Sequence, residues 1–376
     1  MRPNTVASLA LVFITFLSTG NAQETDRRPR PAISFEQVLK REDADHDGKI
    51  SQTEFKGPGR LFTRMDRNGD GQVTKQEFLA RPNFKPSAVN MPDDVQMLRD
   101  VVFGQGGGRD LKMHIVMPKQ AAKSPMPVYI WVHGGGWQGG TKEGGVGQLI
   151  PLARSGFVTA TIEYRLTGEA AFPAQIEDCK CAIRYLRAHA EKYKIDKDRV
   201  AVGGSSAGGH LAALLGTSGG VAEFEGTGGW ADQPSNVNAV VDLYGPTDIL
   251  RFVTTPGFEG HNRDGSPESR LLGGGVVAEN LDGIKRVNPI TYVDQNDPPF
   301  LIIHGTADRT VPLNQSQRMH DALKSSKIDS TLHIIQGAGH GGPGFAEPKI
   351  REMQKSFLMR VLREPPMEQQ ESIAQP

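Results

Sequence analysis

Cysteine is nearly missing: Cys179 and Cys181 are the only two in 376 residues, too few for a disulfide framework. They stand two apart inside a helical pattern, so at about 100° per residue their side chains diverge. A mutual bridge is therefore excluded on geometry, and ordinary packing accounts for both thiols better than redox or metal chemistry. Charge of one sign is missing too, because 43 Lys plus Arg balance 43 Asp plus Glu. Such a chain offers no basic face to a nucleic acid and no electrostatic hold on an anionic membrane. Nor is there, beyond the first residues, an apolar run long enough to span a bilayer as a helix.

The one marked apolar run, residues 6–17, follows Arg2 and precedes the small residues Gly20 and Ala22. That is the layout of a secretory signal peptide over residues 1–22, and it predicts a secreted or periplasmic protein. Residues 23–33 are polar and rich in Arg and Pro, which reads as a linker. Ser34, Phe35, Glu36 and Gln37 form a capping-box pattern opening a short helix with Phe35, Val38 and Leu39 on one face.

Residues 43–54 then read D-A-D-H-D-G-K-I-S-Q-T-E, and residues 66–77 read D-R-N-G-D-G-Q-V-T-K-Q-E. Each places oxygen donors at positions 1, 3, 5, 7 and 12 of a twelve-residue loop, with glycine at position 6 for the sharp turn, the pattern of an EF-hand. The candidate Ca2+ ligands are Asp43, Asp45, Asp47, the Lys49 carbonyl and Glu54 in the first loop. In the second they are Asp66, Asn68, Asp70, the Gln72 carbonyl and Glu77. Ile50 and Val73 occupy equivalent apolar positions, suited to a short ladder between the loops. Only residues 55–65 separate them, broken by Gly57-Pro58-Gly59, so the exiting helix of the first hand is expected to be truncated. So short a connector favours a structural or docking module over a calcium-driven sensor. The EF-hand pair is assigned to residues 34–81, and the proline-bearing stretch 82–94 is a second linker.

Glycine is plentiful at 44 residues, and its clusters mark the chemistry of the remaining chain. From residue 95 to 363 strands and helices alternate. A hairpin is expected over 95–103 and 111–117, and strands over 127–132, 157–164, 239–244, 299–304 and 331–335. Helices are expected over 174–194, with Ile176, Ile183, Leu186 and Tyr193 inward, and over 314–324 and 348–362. Alternation of this kind predicts an α/β fold, a mostly parallel sheet with helices on both faces. The chain is then a mostly parallel α/β domain preceded by a small, all-α EF-hand pair, with residues 364–376 a polar tail.

Residues 200–215 run from a β-branched strand through G-G-S-S-A-G-G into a Leu/Ala helix. Gly204-Ser205-Ser206-Ala207-Gly208 matches the G-x-S-x-G elbow, which makes Ser206 the candidate nucleophile. Upstream, His133-Gly134-Gly135-Gly136 ends a strand and fits an oxyanion loop, with the amides of Gly134, Gly135 and Ala207 as candidate donors. Asp308 and His340 follow the last two strands, at the edge where the groups of open α/β sheets gather. The chain order Ser206, Asp308, His340 is the α/β-hydrolase order, with His340 as base and Asp308 fixing its tautomer. Asp248, after the strand at 239–244, is the competing acid. His133 is read as shaping the oxyanion loop, and His210 and His304 as packing within elements.

At these residues the sequence resembles the hormone-sensitive-lipase-like esterases. The motifs that carry the likeness are H-G-G-G-W, the F-P-A-Q-I-E-D helix, G-S-S-A-G-G-H-L-A, and the G-T-A-D-R-T-V-P and G-A-G-H loops. Within them it is most similar to the secreted bacterial branch that includes feruloyl and acetyl-xylan esterases. The resemblance covers about residues 95–363 and implies a serine carboxylesterase, with an ester attached to polysaccharide as a substrate class. The helical cap common in such esterases is missing ahead of the catalytic domain. The glycine-rich segments 219–229 and 254–283 are insertions placed to roof the pocket, and Trp137 suits either a pocket wall or a packing role. Two other readings share these residues: a prolyl-oligopeptidase-like exopeptidase, against which the HGGG loop speaks, and a calcium-dependent binding protein with an inert hydrolase domain.

Overall fold

The structure is a computed structural model that describes residues 35–56, 62, 65–66, 70–79, 91–120 and 122–363. The expected signal peptide, first linker, C-terminal tail, Ser34 and Asn68, and most of the second linker, lie outside the described residues. The chain forms two compact units, Met1–Lys85 and Pro86–Pro376.

In the first unit α1 (Phe35–Glu42) leads into the first loop, and α2 (Lys75–Leu79) follows the second. Between the loops, β1 (Ile50–Ser51) and β2 (Gln72–Val73) pair antiparallel with Ile50 opposite Val73. These two side chains join Phe35, Val38 and Phe62 in a small closed core. Each such burial is worth roughly 1.5–3 kcal/mol, which is what holds two loops of acidic residues close together. After the first loop Phe55 and Lys56 are not helical.

The second unit is built on one eight-stranded sheet in the order β10-β9-β8-β7-β5-β6-β4-β3. The strands are β3 (Val95–Gly106), β4 (Arg109–Pro118), β5 (Met126–Val132), β6 (Val158–Ile162), β7 (Ile195–Ser205), β8 (Ala239–Leu243), β9 (Phe300–Gly305) and β10 (Ser330–Ile335). From β5 onward all neighbours are parallel, while β4 runs antiparallel to β3 and β6. The alternation of side chains along each strand feeds two cores. Val128, Ile130 and Val132 of β5 face one side, and Tyr129 and Trp131 face the other. Helices α4 (Ala174–Ala188), α5 (Ala207–Thr217) and α6 (Asn314–Ser325) cover the first core, and α3 (Val146–Arg154) and α7 (Pro348–Arg363) the second. Every residue of β5 is buried. That is why it reads as a continuous apolar run rather than an alternating one.

Two local departures from the sequence expectations have physical causes. The helix expected over 174–194 stops at Ala188, because His189 leaves helical geometry and its Nδ1 bonds the Tyr185 carbonyl at 2.9 Å. Ile176, Ile183, Leu186 and Tyr193 are nonetheless buried as expected. Segment 219–229 does not roof the pocket. Glu225 pairs with the buried Lys180 and Arg184 of α4 at 2.9 and 2.6 Å, and the Gly228 carbonyl accepts from Gln105 of β3 at 3.1 Å. The longer insertion between β8 and β9, by contrast, folds into short helices at Ile249–Val253, Pro267–Leu271 and Leu281–Val287, and Pro267 stands beside Gly136 of the oxyanion loop. Cys179 and Cys181 are buried free thiols.

Candidate active site

The nucleophile elbow is a backbone device before it is a chemical one. Ser206 sits between β7 and α5 at φ 55°, ψ −122°, a conformation that costs a non-glycine residue on the order of 1–3 kcal/mol. Its surroundings hold it there: the Ser206 amide donates to the Leu243 carbonyl at 2.9 Å, and the Ser206 carbonyl accepts from the His210 amide at 2.9 Å. Strand and helix approach so closely that a Cβ on Gly204 would stand 2.2 Å from the Gly208 carbonyl oxygen. One on Gly208 would stand 2.1 Å from that of Val132. Both positions of the motif are therefore closed to any side chain, and the turn pushes Ser206 to the partly exposed end of the sheet.

Two more loops arrive at the same edge. His340, after β10, places Nε2 2.8 Å from Ser206 Oγ and Nδ1 2.7 Å from Asp308 Oδ2. The other oxygen of Asp308 accepts the amides of Thr310 and Val311 at 2.8 and 3.0 Å. Burial alone raises a carboxyl pKa. Here hydrogen bonds from His304, His340 and the two backbone amides outweigh it and hold Asp308 well below the usual carboxylate range. The competing Asp248 is elsewhere: it caps the helix Ile249–Val253 through the Arg251 amide and pairs with Arg318 at 2.8 Å.

Two residues in contact with this triad were not assigned to it from the sequence. His304 is fully buried, as a packing residue should be, yet its Nε2 lies 3.3 Å from Asp308 Oδ2 and 3.0 Å from the Val311 carbonyl. Its Nδ1 meets Ser316 Oγ at 2.7 Å. Tyr244 follows β8 at φ 47° and sets its ring against the His340 imidazole, with centroids 4.7 Å apart and planes at 62°. The signal available in the sequence was position alone, a histidine four residues before the acid and an aromatic at a strand end.

The oxyanion loop lies against the nucleophile. A Cβ on Gly134 would fall 3.3 Å from Ser206 Cβ and 2.6 Å from the Ser205 carbonyl oxygen. Gly135 takes φ 128° in the next step of the turn, and Ala207 opens α5, where the first amides have no partner within the helix. His133 shapes the loop: its Nδ1 lies 2.9 Å from the Gly134 carbonyl, its ring stacks on Tyr164 at 4.5 Å, and Tyr164 Oη donates to its carbonyl at 3.0 Å. Burial pushes the His133 pKa down, away from service as a charged group. Trp137 is 2% exposed, so it packs rather than lines a pocket. Pro267 of the insertion touches the loop from outside, 3.3 Å from where a Gly136 Cβ would stand. An alcohol, an imidazole and a buried carboxylate in series beside a glycine-rich loop form the arrangement that performs acyl transfer.

In the first unit the two loops have the form of a cation site. Gly48 and Gly71 turn at φ 80° and 82°. Asp43 Oδ2 accepts the Gly48 amide, Asp45 Oδ1 the Asp47 amide and Asp47 Oδ1 the Lys49 amide, at 3.1, 3.1 and 2.8 Å. Oxygens of these three carboxylates lie within 4.8 Å of one another, and Asp43 Oδ1 is buried without a hydrogen-bond partner. Glu54 accepts from the Ser51 hydroxyl and amide and from the Ala44 amide, which draw its pKa down to about 2. In the second loop Asp66 accepts the Gly71 amide at 2.9 Å, Asp70 the Gln72 amide at 2.9 Å and Glu77 the Thr74 amide at 3.0 Å. An unpartnered inward oxygen among clustered carboxylates fits a hard divalent cation such as Ca2+, which takes oxygen ligands alone.

The comparisons with known proteins agree with this division. A family model described as BD-FAE matches residues 113–323, and one described as EF hand matches residues 35–57 and 60–80. Esterase LipC of Mycobacterium tuberculosis is 32% identical over 229 residues, 59% of this chain and 55% of LipC. The chain thus spans about half the length of that curated relative. Among solved structures, a truncated form of carbohydrate esterase from gut microbiota is 30% identical with a TM-score of 0.67, covering 73% of this chain and 99% of that one. A thermophilic esterase of Thermogutta terrifontis, Est2 with propionate bound, is 26% identical with a TM-score of 0.60, covering 73% and 97%.

Proposed function

The chain belongs to the BD-FAE family, and from that membership we propose that it is an exported serine carboxylic-ester hydrolase working through an acyl-enzyme, with acyl groups on polysaccharide as its substrate class. The observation that carries the reading is His340, held between Ser206 Oγ at 2.8 Å and Asp308 at 2.7 Å. His340 Nε2 takes the Ser206 proton as Oγ attacks the ester carbonyl, and buried Asp308 holds the imidazole tautomer and stabilises the imidazolium. The amides of Gly134, Gly135 and Ala207 receive the developing oxyanion. His340 returns its proton to the leaving alcohol, then activates water to release the carboxylate and restore Ser206. The likeness to a carbohydrate esterase supports a sugar-borne ester. Export rests on the pattern of Arg2, the apolar run and the small residues ahead of Gln23. Asp43, Asp45, Asp47, Lys49 and Glu54, with Asp66, Asn68, Asp70, Gln72 and Glu77, would hold Ca2+, which supplies cross-linking charge to the first unit in a structural or docking role.

Replacing Ser206 with Ala is expected to abolish hydrolysis of short p-nitrophenyl esters while leaving the unfolding temperature within a few degrees. Retained turnover, or a preference of the unmodified protein for aminoacyl amides over simple esters, would overturn the reading. A panel of acetylated, feruloylated and aliphatic esters ranks the acyl group.

A further inference from the structure

One fully buried histidine joins three parts of the catalytic unit and is used by none of the steps above. His210 lies in the first turns of α5, four residues after Ser206, and its ring is wholly buried. Trp137 Nε1 lies 3.1 Å from His210 Nδ1, with the two rings edge to face at 5.1 Å. On the far side His210 Nε2 lies 2.7 Å from the Val287 carbonyl. An indole N–H only donates and a carbonyl only accepts, so the ring must be neutral with its hydrogen on Nε2. Burial favours the same state, pushing the His210 pKa down to about 4.

The three partners come from different places. Trp137 closes the H-G-G-G-W loop at φ 55°. Ser206, whose carbonyl accepts the His210 amide, is the elbow. Val287 ends a helix of the insertion between β8 and β9.

We propose that His210 is a positioning residue, a buried clamp that fixes the oxyanion loop to the nucleophile helix and couples both to the insertion between β8 and β9. This rests on the reading of Ser206 as nucleophile and of Gly134 and Gly135 as oxyanion donors. A clamp on the loop acts where charge develops, so its loss weakens transition-state binding and leaves substrate binding nearly intact. It also gives the insertion, through Val287, a route to the turnover rate that does not pass through substrate contact.

Trp137→Phe keeps an aromatic side chain, smaller by the pyrrole ring, and removes the donor. His210→Phe removes both bonds, and His210→Asn retains an acceptor near the place of Nδ1. Rates are measured per active site titrated with a fluorophosphonate, so misfolded molecules do not count. Trp137→Phe is expected to lower kcat per titrated site by about tenfold or more, with KM within about twofold, and to weaken a boronate transition-state analogue by a similar factor. His210→Asn should retain more of the rate than His210→Phe, and adding Trp137→Phe to His210→Phe should cost little further. An unchanged kcat per titrated site with only a lower unfolding temperature would make His210 a packing residue and end the proposal. If His210→Phe does not fold, Trp137→Phe and His210→Asn carry the test. Failure of the underlying reading shows separately, as absence of fluorophosphonate labelling at Ser206 in the unmodified protein, and it takes this proposal with it.

Discussion

Asp308 is the residue at which burial and hydrogen bonding oppose each other most directly. Its side chain is fully buried, a setting that favours the neutral acid, yet His340, His304 and two backbone amides all donate toward it. The donors prevail, and the carboxylate stays ionised in the folded state well below the ordinary range. Replacing Asp308 with Asn removes the charge at nearly constant volume. The expected loss in kcat is on the order of 10³ to 10⁴-fold, because the imidazole tautomer and the imidazolium lose their partner. Stability carries a second signature. A carboxyl depressed by folding stabilises fully above its unfolded pKa of about 3.9 and loses that contribution as pH falls below it, where the unfolded chain takes up a proton first. Urea unfolding at pH 5 and pH 3 should therefore show a smaller acid-induced loss in Asp308→Asn than in the unmodified protein. An equal loss in both would mean that folding does not depress the Asp308 carboxyl.

At the scale of the element, the elbow joins β7 to α5 at a distance that only glycine permits. Gly208→Ala puts a methyl 2.1 Å from a backbone carbonyl at the end of β5, an atom that cannot rotate away. The expected cost is about 1–3 kcal/mol, read as a fall of several degrees in unfolding temperature with a drop in kcat as Ser206 is displaced. Gly220→Ala, at a position with open space around it, is the control and should change neither. The same element explains why so much was legible in the sequence: its strand, glycines, serine and helix are contiguous, so the pattern and the geometry coincide. Where the deciding interactions are distant, no comparable signal is contiguous in the chain. Helix α3 begins within G-G-V-G and contains Pro151, both arguments against a helix, yet it forms because Val146, Leu149, Leu152 and Ala153 are buried. Burial on the sheet overrides weak propensity. His304 likewise looked like a strand residue because its partners Asp308 and Ser316 lie on other elements, and segment 219–229 looked like a roof because Lys180 and Arg184 are some 40 residues away from it in the chain.

The whole molecule separates its two kinds of chemistry. Ser206, Asp308, His340 and the oxyanion loop, with every group bonded to them, belong to Pro86–Pro376, whereas the clustered carboxylates belong to Met1–Lys85. Among the described residues, the core of the first unit is Phe35, Val38, Ile50, Phe62 and Val73, around which several carboxylates repel one another. A unit of this size has little apolar area to offset that repulsion, so an oxygen-liganded cation held there would contribute directly to its folding. The second unit has two large cores of its own. Chelation with EDTA is therefore expected to lower or abolish an unfolding transition assigned to the first unit, and to change ester hydrolysis at room temperature by less than about twofold. Asp43→Ala, which removes the buried unpartnered oxygen, should reproduce the thermal effect and make it insensitive to added calcium. Differential scanning calorimetry with parallel kinetics separates the outcomes. A fall in kcat/KM that follows calcium release while the thermal transitions stay in place would replace the structural role by a regulatory one, and would require a path between the carboxylate loops and the triad.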